Sequence, residues 1–186
     1  MVVDRSATVA NPRRTEAAGE CWIERFRKVR SQTEALCAPL VAEDYVVQSM
    51  PDVSPTKWHR AHTTWFFETF VLAPYDSGYR EYQGEFAYLF NSYYESVGPR
   101  YPRNRRGVVS RPGCGEIACY RQYTDEAMAG WLQKGGSQPG NERTVLGLHH
   151  EQQHQELLLM DIKHVLSMTP YAAADVARRG TAGRGT

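Results

Sequence analysis

Apolar residues recur at three- and four-residue steps over most of this chain, and no stretch carries the strict alternation of a half-buried strand. Between Glu16 and Cys37 the positions Trp22, Ile23, Phe26, Val29, Leu36 and Cys37 fall on such steps among charges, predicting an amphipathic helix that Pro39 ends or bends. Residues 43–50 read as an irregular connection. Ser54-Pro55 then predicts a helix start, an N-cap side chain followed by proline at the first helical position. That helix is expected to reach about Leu72, with Trp58, His62, Trp65, Phe66 and Thr69 along one side and Phe67, Phe70 and Val71 widening the apolar surface. Pro74 closes it. Residues 75–86 read as a connection whose aromatics pack on the helices, and 87–97 as a short helix stopped by Gly98-Pro99. A further amphipathic segment covers about 116–132, with Ile117, Tyr120, Tyr123, Met128 and Trp131 as buried candidates. After a loop at 135–140, the last helix is expected from about Glu142 to Met168, ended by Thr169-Pro170.

Four principal helices with no strand pattern and no internal repeat predict an all-α fold, a four-helix bundle. At 186 residues the simplest organisation is one domain over 16–170, between disordered polar tails at 1–15 and 171–186.

Charge narrows the function. The 22 basic and 21 acidic residues leave a net charge of +1, so no overall field favours nucleic acid or a membrane surface, and neither is expected as a partner. No apolar run approaches a membrane span, and the N-terminal residues lack the apolar core of a secretory signal. Cys21, Cys37, Cys114 and Cys119 match neither paired zinc spacing nor a dense secreted framework, which reads as reduced thiols in a cytoplasmic protein. None has a helix-start or histidine-adjacent context that would mark a reactive thiolate.

The chemistry concentrates in Leu148-His149-His150-Glu151-Gln152-Gln153-His154-Gln155-Glu156-Leu157, which holds three of the six histidines. On a helix, His150 and His154 project about 40° apart on successive turns and can grip one metal ion. Glu156 lies about 240° round from His150 and about 200° from His154, which takes it out of the same ligand set. Glu151 and Glu156 either orient ligands from behind or pair with basic side chains. His149, about 100° from His150, is expected in a supporting role. His164 lies about 15 Å along the axis from His154, too far to share an ion. The missing imidazole must come from the second helix, where either His59 or His62 can reach across. His62, set among core aromatics, is the better candidate, with His59 supporting it. Three histidines leave open positions for water, dioxygen or a thiolate, which suits a catalytic centre.

A dense local charge occurs at Arg100-Tyr101-Pro102-Arg103-Asn104-Arg105-Arg106-Gly107, with Arg111 close behind. Held between prolines, Arg103 and Arg106 read either as a carboxylate-binding pair or as a solvated basic loop.

Taken together, Ser54-Pro55-Thr56-Lys57-Trp58-His59-Arg60-Ala61-His62-Thr63-Thr64-Trp65-Phe66-Phe67-Glu68, Leu89-Phe90-Asn91-Ser92-Tyr93-Tyr94, the Arg-rich loop to Ser110-Arg111-Pro112, and His150-x3-His154-x-Glu156 carry a family resemblance. Over about residues 20–170 the chain resembles the DinB-like N-terminal domain of ergothioneine-type sulfoxide synthases. The resemblance implies a DinB-like four-helix bundle holding mononuclear non-haem iron(II) on His62, His150 and His154, with zinc or nickel as other divalent occupants. It implies an oxidoreductase in which dioxygen joins the sulfur of cysteine or γ-glutamylcysteine to the imidazole of Nα-trimethylhistidine, giving a sulfoxide. Arg103 and Arg106 would meet the carboxylate of the thiol donor. Family members continue into a domain resembling the formylglycine-generating enzyme, which supplies a catalytic tyrosine. After Tyr171 this chain has only a Gly/Arg/Ala tail, so a separate subunit of that kind is an expected partner. Two other readings stand beside this one: a DinB-like metal-dependent thiol transferase, and a non-catalytic metal-binding bundle or partner subunit.

Overall fold

The computed structural model describes residues 13 to 168, with side chains from residue 22 onward. The expected N-terminal tail lies outside them except for residues 13–15, which open the first helix; Thr169-Pro170 and the C-terminal tail lie wholly outside. The helices are α1 (Arg13–Cys37), α2 (Thr56–Phe67), α3 (Ala73–Tyr75), α4 (Phe86–Phe90), α5 (Cys114–Gln133) and α6 (Gln138–Ser167). A π-helical turn, Glu68–Leu72, joins α2 to α3, and 3₁₀ turns occupy Glu95–Val97 and Arg103–Val108. No strand occurs among the described residues, so the fold is an all-α helical bundle.

Six α-helical segments thus stand where the hydrophobic pattern predicts four principal ones. The long helices α1, α2, α5 and α6 match the four expected. The additions are local: the wide π turn separates α3 from α2, and the expected helix over 87–97 shortens to α4, with Asn91 in extended backbone after it. Both α1 and α2 pack against α5 and α6.

Two helix starts differ from expectation. Pro55, not Ser54, occupies the N-cap position of α2 and makes no side-chain cap bond; the Ser54 hydroxyl is drawn off to accept from Arg106 Nη1 at 2.9 Å. The last helix begins at Gln138 rather than Glu142, because Ser137 accepts from the Gly140 amide and Pro139 sits in the first turn. What reads as loop composition is a capped helix start. Likewise, α5 begins at Cys114, giving that thiol the helix-start position not expected of it.

The buried apolar residues form three clusters. Phe26, Phe67, Val71, Leu72, Met128, Trp131, Leu132 and Leu148 fill the space where α1, α5 and α6 meet the end of α2. Trp58, Ala61, Trp65, Phe66, Phe86, Phe90, Ile117 and Tyr120 join α2 to α4 and α5, and Cys37, Val53, Leu158, Ile162 and Val165 close the other end. Tyr123, expected inside, is exposed and donates its hydroxyl proton to the Arg80 carbonyl at 2.7 Å. The aromatics of the 75–86 connection do pack inward: Tyr79, Tyr82 and Phe86 lie against the core. The buried Glu68 carboxylate accepts from Tyr79 Oη at 2.6 Å, the Tyr82 amide at 2.9 Å and Tyr120 Oη at 2.5 Å. It ties that connection to α5.

Every residue of α2 from Thr56 to Phe67 is buried, not only one face. Its charged side chains, and Thr64 among its hydroxyls, survive burial because they find partners. Lys57 Nζ donates to the carbonyls of Val109 at 2.6 Å and Pro112 at 2.9 Å, holding down the end of the arginine loop. Arg60 pairs with Glu34 at 2.6 Å, and Thr64 accepts from Arg30 at 3.0 Å.

A buried ionic network sets the register of α6. Glu151, fully buried, accepts from Arg30 Nη1 at 2.9 Å, Arg121 Nη2 at 2.6 Å and Thr33 Oγ1 at 2.6 Å, joining α6 to α1 and α5. Arg30 also pairs with Asp125 at 2.6 Å, and Arg121 with Glu34 at 2.6 Å. Burial pushes the Glu151 carboxyl up, but Arg121 and Arg30 overcome it and hold its pKa down to about 2. Of the two roles open to Glu151, pairing with basic side chains is the one it performs.

Candidate metal centre

The site forms where α2 and α6 face each other. One ring nitrogen from each of His62, His150 and His154 comes within 4.8 Å of the others, close enough to surround a single ion. His62 is the member supplied from α2, and its Nε2 lies 3.1 Å from His150 Nε2.

Packing holds each imidazole. The His62 ring stacks on Trp58, with centroids 4.5 Å apart, and on Trp65 at 5.4 Å; these are its neighbours four residues back and three ahead on α2. Its Nδ1 donates to the Phe90 carbonyl at 2.6 Å, which leaves the lone pair on Nε2. His150 stacks on Phe66 with centroids 4.6 Å apart. Its Nδ1 is buried without a hydrogen-bond partner among the described residues. His154 places Nδ1 2.9 Å from Nδ1 of His59, and His59 Nε2 lies 3.0 Å from Asp161 Oδ2.

Burial keeps these rings neutral. It pushes the His150 pKa down to about 4. His62 lies well below its ordinary value through burial and then the nearby His150. His154 is lowered by burial and then by His62, His59 and His150. A neutral imidazole is the form that ligates metal, so the cluster is set for a cation rather than for a proton. Donor type, spacing and protonation all fit a divalent ion of the iron, zinc or nickel kind.

The surrounding pocket, about 230 Å³, is lined by Trp58, Tyr93, Tyr94, Arg103, Arg106, Gln153 and Asp161 besides the histidines. Arg106 is 4% exposed, and its guanidinium lies 3.3 Å from the centroid of the Trp58 ring that also stacks on His62. It donates to Ser54 Oγ at 2.9 Å and Ser92 Oγ at 3.2 Å, while its Nε has no partner among the described residues. Burial, with Arg103 beside it, pushes its pKa down to about 9, which still leaves a cation at neutral pH. A buried cation held by two neutral hydroxyls leaves room for an anion. Arg103, exposed at the rim, donates to Tyr93 Oη at 3.0 Å and to the Asp52 carbonyl.

The loop carrying both arginines is pinned. Gln48 Nε2 donates to the carbonyls of Val53 at 2.7 Å and Arg103 at 2.9 Å, while its Oε1 accepts from the Gly107 amide at 2.7 Å. A β-carbon on Gly107 would meet Gln48 Cβ at 2.5 Å, so only glycine permits this approach.

The remaining sequence candidates fall as follows. His59 is buried against His154, as a supporting residue would be. Glu156 is exposed and outside the pocket, on the far side of α6 that its angular offset implies; the carboxylate the pocket does contain is Asp161. His149 is exposed too. His164 lies away from the centre, its Nδ1 2.7 Å from Ser49 Oγ. Asp161 and Ser92 gained no role in the site from sequence, and Ser54 and Trp58 only structural ones, as a helix cap and a face residue. A signal existed for Asp161: it sits on the buried stripe of α6 with Leu158, Ile162 and Val165, where an unpartnered carboxylate is costly.

Cys37, Cys114 and Cys119 are free thiols among the described residues. No helix among those residues is long and apolar enough to cross a membrane. The chain matches no known family model and no curated protein sequence.

Proposed function

We propose that this chain is the metal-binding domain of an ergothioneine-type sulfoxide synthase, a DinB-like four-helix bundle built around iron(II) in a cytoplasmic enzyme. The observation that carries the reading is the meeting, in one pocket, of the His62, His150 and His154 cluster with the buried Arg106 and the rim Arg103. It adds to the motif set in the sequence, which places the same residues in the same order.

Charge bookkeeping points to an anionic substrate. With a divalent ion on three neutral imidazoles, two arginines and a single carboxylate, Asp161, the pocket carries a surplus of positive charge. A thiol donor that is also an amino acid answers both parts of it, its sulfur as thiolate at the open metal positions and its carboxylate at Arg106 and Arg103. Trp58 holds the Arg106 plane in place, and Ser54 and Ser92 set its rotation, so the carboxylate partner is pre-organised.

In the proposed reaction a C–H bond of the Nα-trimethylhistidine imidazole and the S–H bond of the thiol are lost and a C–S bond forms. One atom of dioxygen ends on sulfur as the sulfoxide and the other leaves as water, so dioxygen is the four-electron oxidant. Bound iron(II) would supply the redox chemistry that brings dioxygen into this exchange. The chain's own residues bind and orient: the imidazoles hold the ion, the arginine pair holds the thiol donor, and Tyr93 and Tyr94 wall the remaining side. Tyr93 is 68% exposed at the rim, where a formylglycine-generating-enzyme-like domain or subunit would close the pocket over the methylated histidine.

The test is an anaerobic iron(II) titration followed by oxygen uptake with cysteine or γ-glutamylcysteine, with and without Nα-trimethylhistidine and a formylglycine-generating-enzyme-like partner. Uptake that requires both organic substrates and yields a sulfoxide supports the proposal. Thiol conjugation to an electrophile without oxygen consumption would make the chain a thiol transferase instead, and metal binding with neither activity a non-catalytic bundle.

A further inference from the structure

Behind His154 stand two side chains from two helices, His59 on α2 and Asp161 on α6. Asp161 Oδ2 accepts the Ser54 backbone N–H at 2.9 Å and lies 3.0 Å from His59 Nε2. A carboxylate only accepts, so His59 Nε2 carries the proton in that contact. A neutral imidazole has one donor and one acceptor, which leaves His59 Nδ1 with its lone pair. His154 Nδ1 is 2.9 Å away, a distance at which two facing lone pairs repel and an N–H···N bond attracts. The proton of His154 is therefore on Nδ1, and its free lone pair is on Nε2.

We infer that Asp161 and His59 form a hydrogen-bonded relay that fixes the tautomer of His154 and aims its Nε2 at the metal. His59 is accordingly a positioning residue, with both ring nitrogens committed, and not an alternative ligand. This deepens the metal-site reading above and rests on it for its effect on metal binding.

The centre is asymmetric in a way that isolates the relay's contribution. His62 obtains the same tautomer from a backbone carbonyl, that of Phe90, which no side-chain substitution removes. His150 has no partner on Nδ1 among the described residues. Only His154 depends on another titratable side chain for its orientation. A partner behind a ligating histidine typically changes metal affinity 10- to 100-fold, by fixing ring orientation and raising ligand basicity.

Two measurements test the inference. The first is the ¹⁵N spectrum of His154 in the metal-free wild-type protein, which reports its tautomer without any substitution. The Nδ1–H form is expected; the Nε2–H form overturns the relay. The second is titration with zinc(II) alone of the wild type, His59→Leu and His59→Gln. His59→Leu is expected to weaken binding about 10- to 100-fold. His59→Gln, whose amide can accept from His154 and donate to Asp161, is expected to recover most of that loss, which a merely space-filling role would not produce. Equal affinity of wild type and His59→Leu overturns the inference. A wild type that binds no divalent metal would instead sink the metal-site reading, and the tautomer would still decide whether the relay exists. If His59→Leu fails to fold, the wild-type spectrum decides alone.

Discussion

Gly147 touches Phe67 so closely that a β-carbon on the glycine would lie 2.6 Å from Cε1 of the fully buried ring. This contact lets α6 approach α2 one turn ahead of His150. Gly147→Ala must push the helices apart or shift Phe66 and Phe67, since Phe66 also lies 3.1 Å from that position. A loss of ~1–3 kcal/mol in denaturant unfolding is expected, together with weaker metal binding. Unchanged stability would show that the helices do not meet this closely.

His62 contributes one of three imidazoles and cannot be replaced by His59, whose nitrogens are both engaged. His62→Ala should weaken zinc(II) or iron(II) binding by well over about 10-fold, on the scale of losing more than a supporting contact. His149→Ala, on an exposed neighbour of His150, should leave affinity unchanged. Calorimetric titration compares the two, and a His62→Ala protein that binds like wild type removes His62 from the centre.

Arg106 is buried and stacked on Trp58, and its hydrogen bonds among the described residues go to the neutral hydroxyls of Ser54 and Ser92. In the metal-loaded protein Arg106→Ala should weaken cysteine binding about 10- to 100-fold, the loss of a charged hydrogen bond of ~1.5–3 kcal/mol. Cysteamine, which lacks the carboxylate, should bind wild type and variant alike. Equal sensitivity of the two thiols would place the carboxylate elsewhere.

Glu151 bridges Arg30 and Arg121 in the interior, beside Asp125 on Arg30 and Glu34 on Arg121. Glu151→Gln removes one negative charge from this buried network, and a loss of ~3–5 kcal/mol is expected from urea unfolding. A variant as stable as wild type would mean that water or Asp125 and Glu34 compensate.

Thiol labelling checks the packing at the far end of the bundle. Burial raises the Cys37 thiol to about 11, so it stays protonated through pH 8. Native iodoacetamide treatment at that pH should modify the exposed Cys119 and spare Cys37 until denaturant is added. Rapid native labelling of Cys37 would contradict its burial.

The helices were legible because their signal is local. Trp22 to Cys37, Trp58 to Val71 and Ile117 to Trp131 repeat at steps that only a helix uses, and short-range geometry alone put His150 beside His154 and Glu156 away from them. Boundaries failed where one composition serves two purposes: Ser137 and Pro139 open a helix in a stretch that reads as loop, and Ser54 leaves its cap position for Arg106. The ionic core was half-visible. Arg30 and Thr33 interrupt the stripe that Phe26 and Cys37 define on α1, and Glu151 interrupts that of Leu148 and Leu158 on α6, but nothing local says that these breaks face one another.

By itself, then, the sequence determined an all-helical chain, a histidine pair on one helix face and an imidazole available on another. Tertiary structure alone decided that α2 is buried on all sides, that His59 is spent on Asp161 while His62 faces the pair, and that Arg106 lies against Trp58. The reason is physical. Periodicity records which face of a helix avoids water, whereas the partner on that face comes from 88 residues away for His62 and His150, 102 for His59 and Asp161, and 121 for Arg30 and Glu151. Those pairings exist only once the helices have packed.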